Sequence, residues 1–98
     1  MRPVLHTDLL MAARAARCVP VASRSERLAQ WLREAHWADR YRKRLGRAHP
    51  HWGNGSLLAR AMTEPLEQPS WPESEELVAL AEVIAAVLGW RGRMARRG

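Results

Sequence analysis

The sequence predicts an all-α protein: a small single-domain bundle of about four helices, with the C-terminal helix buried. Three observations carry that expectation. Apolar residues recur at helical spacing along most of the chain. No stretch alternates apolar and polar residues convincingly enough to read as a strand. At 98 residues and 47% apolar composition, there is material for one modest core and no more.

The first helix lies in "TDLLMAARAARCV", with Thr7 as its N-cap and Asp8 in the positively polarised first turn. Pro20 ends it. The second opens at Ser23, where "SRSE" places Glu26 three residues on as a capping box, and it runs to about Leu45 before Gly46 stops it. At about 100° per residue, Leu28, Trp31, Leu32, Ala35, Ala38 and Leu45 share one face. Arg40, Lys43, Arg44 and Arg47 share the opposite one, bordered by Trp37 and Tyr41. Arg42 is the exception. It points into the apolar face and needs either a carboxylate, from Asp39 or the later acidic segment, or a frayed helix end from which to reach water.

"SLLARAMTE" reads as a short third helix capped by Ser56 or Asn54 and halted before Pro65. The acidic, proline-rich "EPLEQPSWPESEEL" is a loop that ends in a second capping box, Ser70 with Glu73. The last helix, from about Trp71 to Arg91, is apolar almost all round and is expected at the centre of the bundle. Residues 1–91 then form the domain, and 92–98 a basic, flexible tail.

The formal charge is +6 and the isoelectric point is near 11.2. Such a balance points to a polyanionic partner. The distribution tempers it. Residues 1–60 hold twelve Lys/Arg against four Asp/Glu, residues 61–90 hold six Glu and no base, and residues 91–98 add four Arg. The acidic stretch can therefore fold back and neutralise the basic one. Fifteen of the sixteen bases are Arg and alanine is abundant, a bias that a GC-rich genome produces unselected.

Several function classes recede. Cys18 is the single cysteine, so neither an intrachain disulfide nor a cysteine metal cluster can form, and it is expected to be an inert, buried or half-buried thiol. The N-terminus lacks a signal-peptide pattern. The longest apolar run, Leu77 to Trp90, is shorter than the roughly twenty residues of a membrane span. His49 and His51 lack the spacing of a zinc site. No nucleophile elbow or carboxylate pair assembles catalytic machinery. No enzyme, metal or cofactor is expected.

"RAHPHWGNGS" remains. A glycine-rich turn ahead of a helix can converge N–H groups on an anion, with Gly53, Asn54 and Gly55 as the cradle and Arg44 and Arg47 closing from upstream. The plainer reading is a specified turn, in which the glycines supply left-handed conformations and Trp52 plugs the core beneath. The neighbouring "RYRKRLGR" interleaves bases with an aromatic, so arginines can hold phosphates while Trp37 or Tyr41 stacks on a base. No helix-turn-helix or zinc-finger spacing supports sequence-specific reading.

"WADRYRKRLGRAHPHWGNGSLLARA", with the opening "MRPVLHTDLLMAARA", resembles a family of short alphaproteobacterial proteins bearing a domain of unknown function. The likeness covers residues 1–62 and implies a bacterial cytoplasmic protein, without supplying an activity, cofactor or partner. It singles out Arg40, Arg42, His49, Trp52, Gly53, Asn54 and Gly55. The combined expectation is a non-enzymatic binding module working through the basic face of the second helix and the "HPHWGNGS" turn. Its partner is a protein or a polyanion, nucleic acid included. The alternative is a structural partner that self-associates through Trp37, Tyr41 or Trp71.

Overall fold

The computed structural model describes residues 2–64 and 73–97. Four helices follow in order: α1 (His6–Arg17), α2 (Val21–Leu45), α3 (Leu57–Ala61) and α4 (Glu73–Arg97). Trp71 and the Ser70 half of its expected capping box lie outside the described residues.

Helix starts differ from the expected caps, and each difference has a local cause. In α1, Leu5 rather than Thr7 is the N-cap, because the Asp8 carboxylate reaches back to accept the Leu5 N–H at 2.9 Å. In α2 the helix begins at Val21, two residues before Ser23. The Pro20 carbonyl accepts the Ser23 N–H at 2.9 Å, so Ser23 is already inside the first turn and the expected box does not form. At the other end Gly46, at φ 73°, is the left-handed stop that was expected. Cys18 caps the C-terminus of α1 and is exposed, not buried.

Small side chains let α1 approach its neighbours. Ala12, Ala13, Ala15 and Ala16 are buried against α3 and α4, and Leu28, Trp31 and Leu32 of α2 fill the centre. Leu57 and Ala61 of α3 close the core from the side.

The C-terminal helix is not the centre of the bundle. It buries Ala79, Val83 and Val87 on one face, while Leu77, Val78, Ile84 and Leu88 are 56%, 56%, 41% and 65% exposed. Among the described residues only α1 and α2 contact it, so one side of an all-round apolar helix stays uncovered. The backbone does not break at Arg91 either, since α4 continues to Arg97.

Ion pairs join the acidic and basic segments. Arg24 meets Glu82 at 2.7 Å, Arg17 meets Glu75, and Arg60 meets Glu64 at 3.0 Å as well as Glu34, within the basic segment itself, at 2.7 Å. Further along the same helices, His36 of α2 lies edge-on to Trp90 of α4 at 5.6 Å. Since contacts advance together from Arg24–Glu82 to His36–Trp90, α2 and α4 run in the same sense.

Candidate functional site

The second half of α2 extends past the core. Ala38 is its last fully buried apolar residue, and Leu45, expected on the packed face, is 51% exposed. What this free end meets instead is the turn between α2 and α3.

That turn is built by two glycines and a histidine. His49 and Gly53 exchange backbone hydrogen bonds at 2.8 and 3.1 Å, closing a tight loop. The His49 Nδ1 accepts the N–H groups of both His51 and Trp52 at 3.1 Å, so the ring proton sits on Nε2. Gly53 and Gly55 have φ of 83° and 98°, conformations that side chains other than glycine resist. Gly55 also rests on α2 itself: a Cβ there would fall 2.6 Å from the Asp39 Cα.

Of the expected cradle, the Gly53 N–H is spent on the His49 carbonyl, and N–H donors at the start of α3 are engaged within the chain as well. Asn54 Oδ1 accepts from the Ser56 N–H at 3.1 Å, and Ser56 Oγ accepts from Ala59 at 3.1 Å as the α3 cap. The Leu58 N–H donates to Asp8 Oδ1 at 2.7 Å. Asp8, 3% exposed, thus places its own carboxylate at the start of α3 while its other oxygen caps α1. The sequence marked Asp8 only as a favourable first-turn acid. Its second role depends on a contact fifty residues away, which no local pattern discloses.

Asp39 and Arg42 form the joint under the turn. Arg42 donates through Nη2 to Asp39 Oδ1 at 3.0 Å and through Nε to the Asn54 carbonyl at 3.1 Å, which settles its placement in favour of the Asp39 pairing. Lys43 meets the other Asp39 oxygen at 3.1 Å. Burial disfavours the charged carboxylate, but hydrogen bonds from Lys43 and Arg42 outweigh it and hold the Asp39 pKa at about 2. His36, one turn earlier, is held below its ordinary pKa by burial and by positive neighbours that include Arg40 and Lys43.

Outside this joint lies a cleft of about 930 Å³, lined by Trp37, Arg40, Tyr41, Lys43, Arg44, His49 and Trp52. One wall is the basic face of α2 and the other is the turn. Trp52 does not plug the core. It stacks on the His49 ring at 4.5 Å with the planes 8° apart, and Tyr41 meets the other side of the assembly edge-on, 4.8 Å from His49. Arg40 lies over the Trp37 ring at 5.0 Å. Trp37 is 55% exposed and Tyr41 half-buried.

The structure therefore gathers Trp37, Arg40, Tyr41, Lys43 and Arg44 in one concave surface. It sets Gly53, Asn54 and Gly55 behind that surface as the frame of the turn. Arg47 is exposed and stands outside the lining. His49 and Trp52, which the family likeness had singled out, turn out to wall the cleft. Among the described residues, no group of three or more His, Cys, Asp or Glu is arranged to hold a metal ion. No helix of the described residues is long and apolar enough to cross a membrane.

Fold and site together define a small all-α domain with an aromatic, basic cleft at the free end of its second helix. A family model described as a domain of unknown function (DUF7742) matches residues 2–88, and the chain belongs to that family. No curated protein and no solved structure matches it.

Proposed function

We propose that this protein is a non-enzymatic binding module whose cleft takes a polyanion carrying flat rings, single-stranded nucleic acid being the class that fits best. The observation supporting this reading is the imbalance of charge around the cleft. The carboxylates Glu34, Glu64, Glu75 and Glu82 are engaged by Arg60, Arg17 and Arg24 elsewhere in the bundle, whereas Arg40 and Arg44 have no carboxylate partner among the described residues. Positive charge is thus left where the aromatic rings are. Arg40 and Arg44 would hold successive phosphates, and Trp37 and Tyr41 would offer faces or edges to bases. Such contacts are indifferent to sequence, in keeping with the lack of a groove-reading motif.

The reading extends to a bacterial cytoplasmic protein, in line with the alphaproteobacterial resemblance and the lone cysteine. Titration of nuclease-treated protein with random-sequence single-stranded DNA and RNA, followed by tryptophan fluorescence at several salt concentrations, tests it. Quenching that weakens steeply with salt supports the proposal. A flat response at low salt overturns it and turns attention to a protein partner for the same surface.

A further inference from the structure

The surface that begins in the cleft does not end at Trp37. From there an aromatic bridge crosses to α4: the Trp37 and His36 rings meet edge-on at 6.3 Å, and His36 meets Trp90 edge-on at 5.6 Å. Because α2 and α4 run in the same sense, both carry on past this bridge at one end of the bundle. Seen from the N-termini at about 100° per residue, Arg40 and Trp37 lie clockwise from His36 on α2. On α4, Arg93, Gly89, Arg96 and Gly92 lie anticlockwise from Trp90. For two parallel right-handed helices that touch through His36 and Trp90, those are the same side. The basic wall of the cleft and this flank of α4 therefore face one way.

Two features mark the flank. It is positive: Arg93 and Arg96 are exposed, and neither has a carboxylate partner among the described residues. The last acid of α4, Glu82, is held by Arg24. The flank is also bare. Gly89 and Gly92 sit inside the helix without the positive φ that would require glycine. Beyond the helix backbone, a Cβ at Gly89 would meet nothing nearer than Arg93 Nη1 at 3.5 Å, and one at Gly92 nothing nearer than Arg96 Nη1 at 3.6 Å. Both are ordinary contacts. Alanine would fit at either position and would favour the helix, so neither folding nor packing calls for glycine there. What the missing side chains leave is a shallow strip of helix backbone beside two guanidinium groups, open to a ligand that must come close.

We infer that this strip is the second half of a nucleic-acid path, an inference that rests on the cleft being a single-strand site. The strand leaves the cleft over Trp37, crosses His36 and Trp90, and lays its sugar–phosphate backbone on Gly89 and Gly92. Arg93 and Arg96 there fork onto two further phosphates. Glycines and phosphate-bound arginines read no base, so the extension adds length and charge contacts without sequence preference.

Oligothymidylates of about three and about twelve nucleotides separate the two halves, because only the longer one spans both cleft and strip. Tryptophan fluorescence of the full chain gives the affinity of each at several salt concentrations. A longer strand also gains affinity by offering more registers, but registers leave the salt dependence unchanged. The expected result is binding of both, with the longer strand's plot of log affinity against log salt steeper by about one to two. The double variant Arg93→Gln/Arg96→Gln should return that slope to the short strand's, while the short strand's affinity stays within about twofold. Gly89→Ala/Gly92→Ala should melt at a higher temperature than the wild type and yet bind the longer strand about tenfold more weakly, a combination that damage to the fold does not produce. Equal slopes for the two lengths, or a longer strand indifferent to both variants, overturns the extension, and binding of the short strand then leaves the cleft standing. Failure of both lengths to bind at low salt overturns the cleft as a single-strand site, and the extension falls with it.

Discussion

Gly55 lies so close to the backbone of α2 at Asp39 that a single added carbon would fall within 2.6 Å of the Asp39 Cα and Cβ. The turn is seated on the helix by the absence of a side chain. Gly55→Ala therefore meets two penalties, a backbone atom that cannot move aside and a φ of 98°. We expect a loss of about 3 kcal/mol or more in chemical denaturation. Gly46→Ala, at φ 73° with open space around it, should cost only about 1 kcal/mol. Equal losses from the two would contradict the close seating of Gly55.

The Asp8 carboxylate caps two helices at once, through Leu5 at 2.9 Å and Leu58 at 2.7 Å. Asp8→Ala removes both acceptors, each worth about 1 kcal/mol. The expected shift in urea unfolding is about 2 kcal/mol. Asp8→Asn, which keeps one carbonyl oxygen, should fall between the wild type and the alanine variant.

Acid stability should depend on Asp39. Its folded pKa of about 2 lies below the ordinary 3.8, so the unfolded chain binds more protons through that interval. The stabilisation is present above pH 3.8 and is lost as pH falls towards 2, with an amplitude of roughly 2 kcal/mol. His36 acts in the same direction from higher pH. Its lowered pKa keeps the folded form neutral while the unfolded form takes up a proton below about 6.5. Thermal melts from pH 7 to pH 2 should decline in both windows, and Asp39→Asn should flatten the lower one.

Arg40 and Arg44 should separate binding from folding. Both are exposed and unpaired with carboxylates among the described residues, so Arg40→Glu and Arg44→Glu are each expected to change stability by less than about 0.5 kcal/mol. Their effect on single-stranded DNA should be large, with the salt slope reduced by about one per removed phosphate contact. Trp37→Ala should weaken binding with little change in that slope. Variants that unfold in proportion to their loss of binding would argue against the cleft as the contact surface.

Much of the architecture could be read from periodicity alone. The face of α2 from Leu28 to Ala38 is buried as its spacing implied, Gly46 ends the helix, and Ser56 caps α3. What periodicity cannot supply is how much of an apolar surface finds a neighbour. Leu45 and one whole side of α4 are apolar in sequence and exposed in the fold, because helical spacing says which residues share a face and nothing about whether another element reaches it. The cleft was half legible. Its basic and aromatic wall follows from 100° geometry on α2, whereas the opposing wall depends on His49 bonding its own turn and stacking on Trp52. Arg42 shows the limit most clearly: its wheel position signalled a buried charge in need of a partner, but only the three-dimensional seat of the turn adds the Asn54 carbonyl to Asp39.

The carboxylate that seats α3 comes from α1, the arginines of the cleft come from α2, and the rings opposite them come from the turn between α2 and α3. All of the lining lies between residues 37 and 52, so the cleft gains its second wall when the turn folds back onto the end of α2. A nascent or partly opened molecule displays the same arginines on a lone helix end, with nothing across from them. Recognition that needs both walls is then conditional on the turn being seated on α2, where Gly55 rests against Asp39.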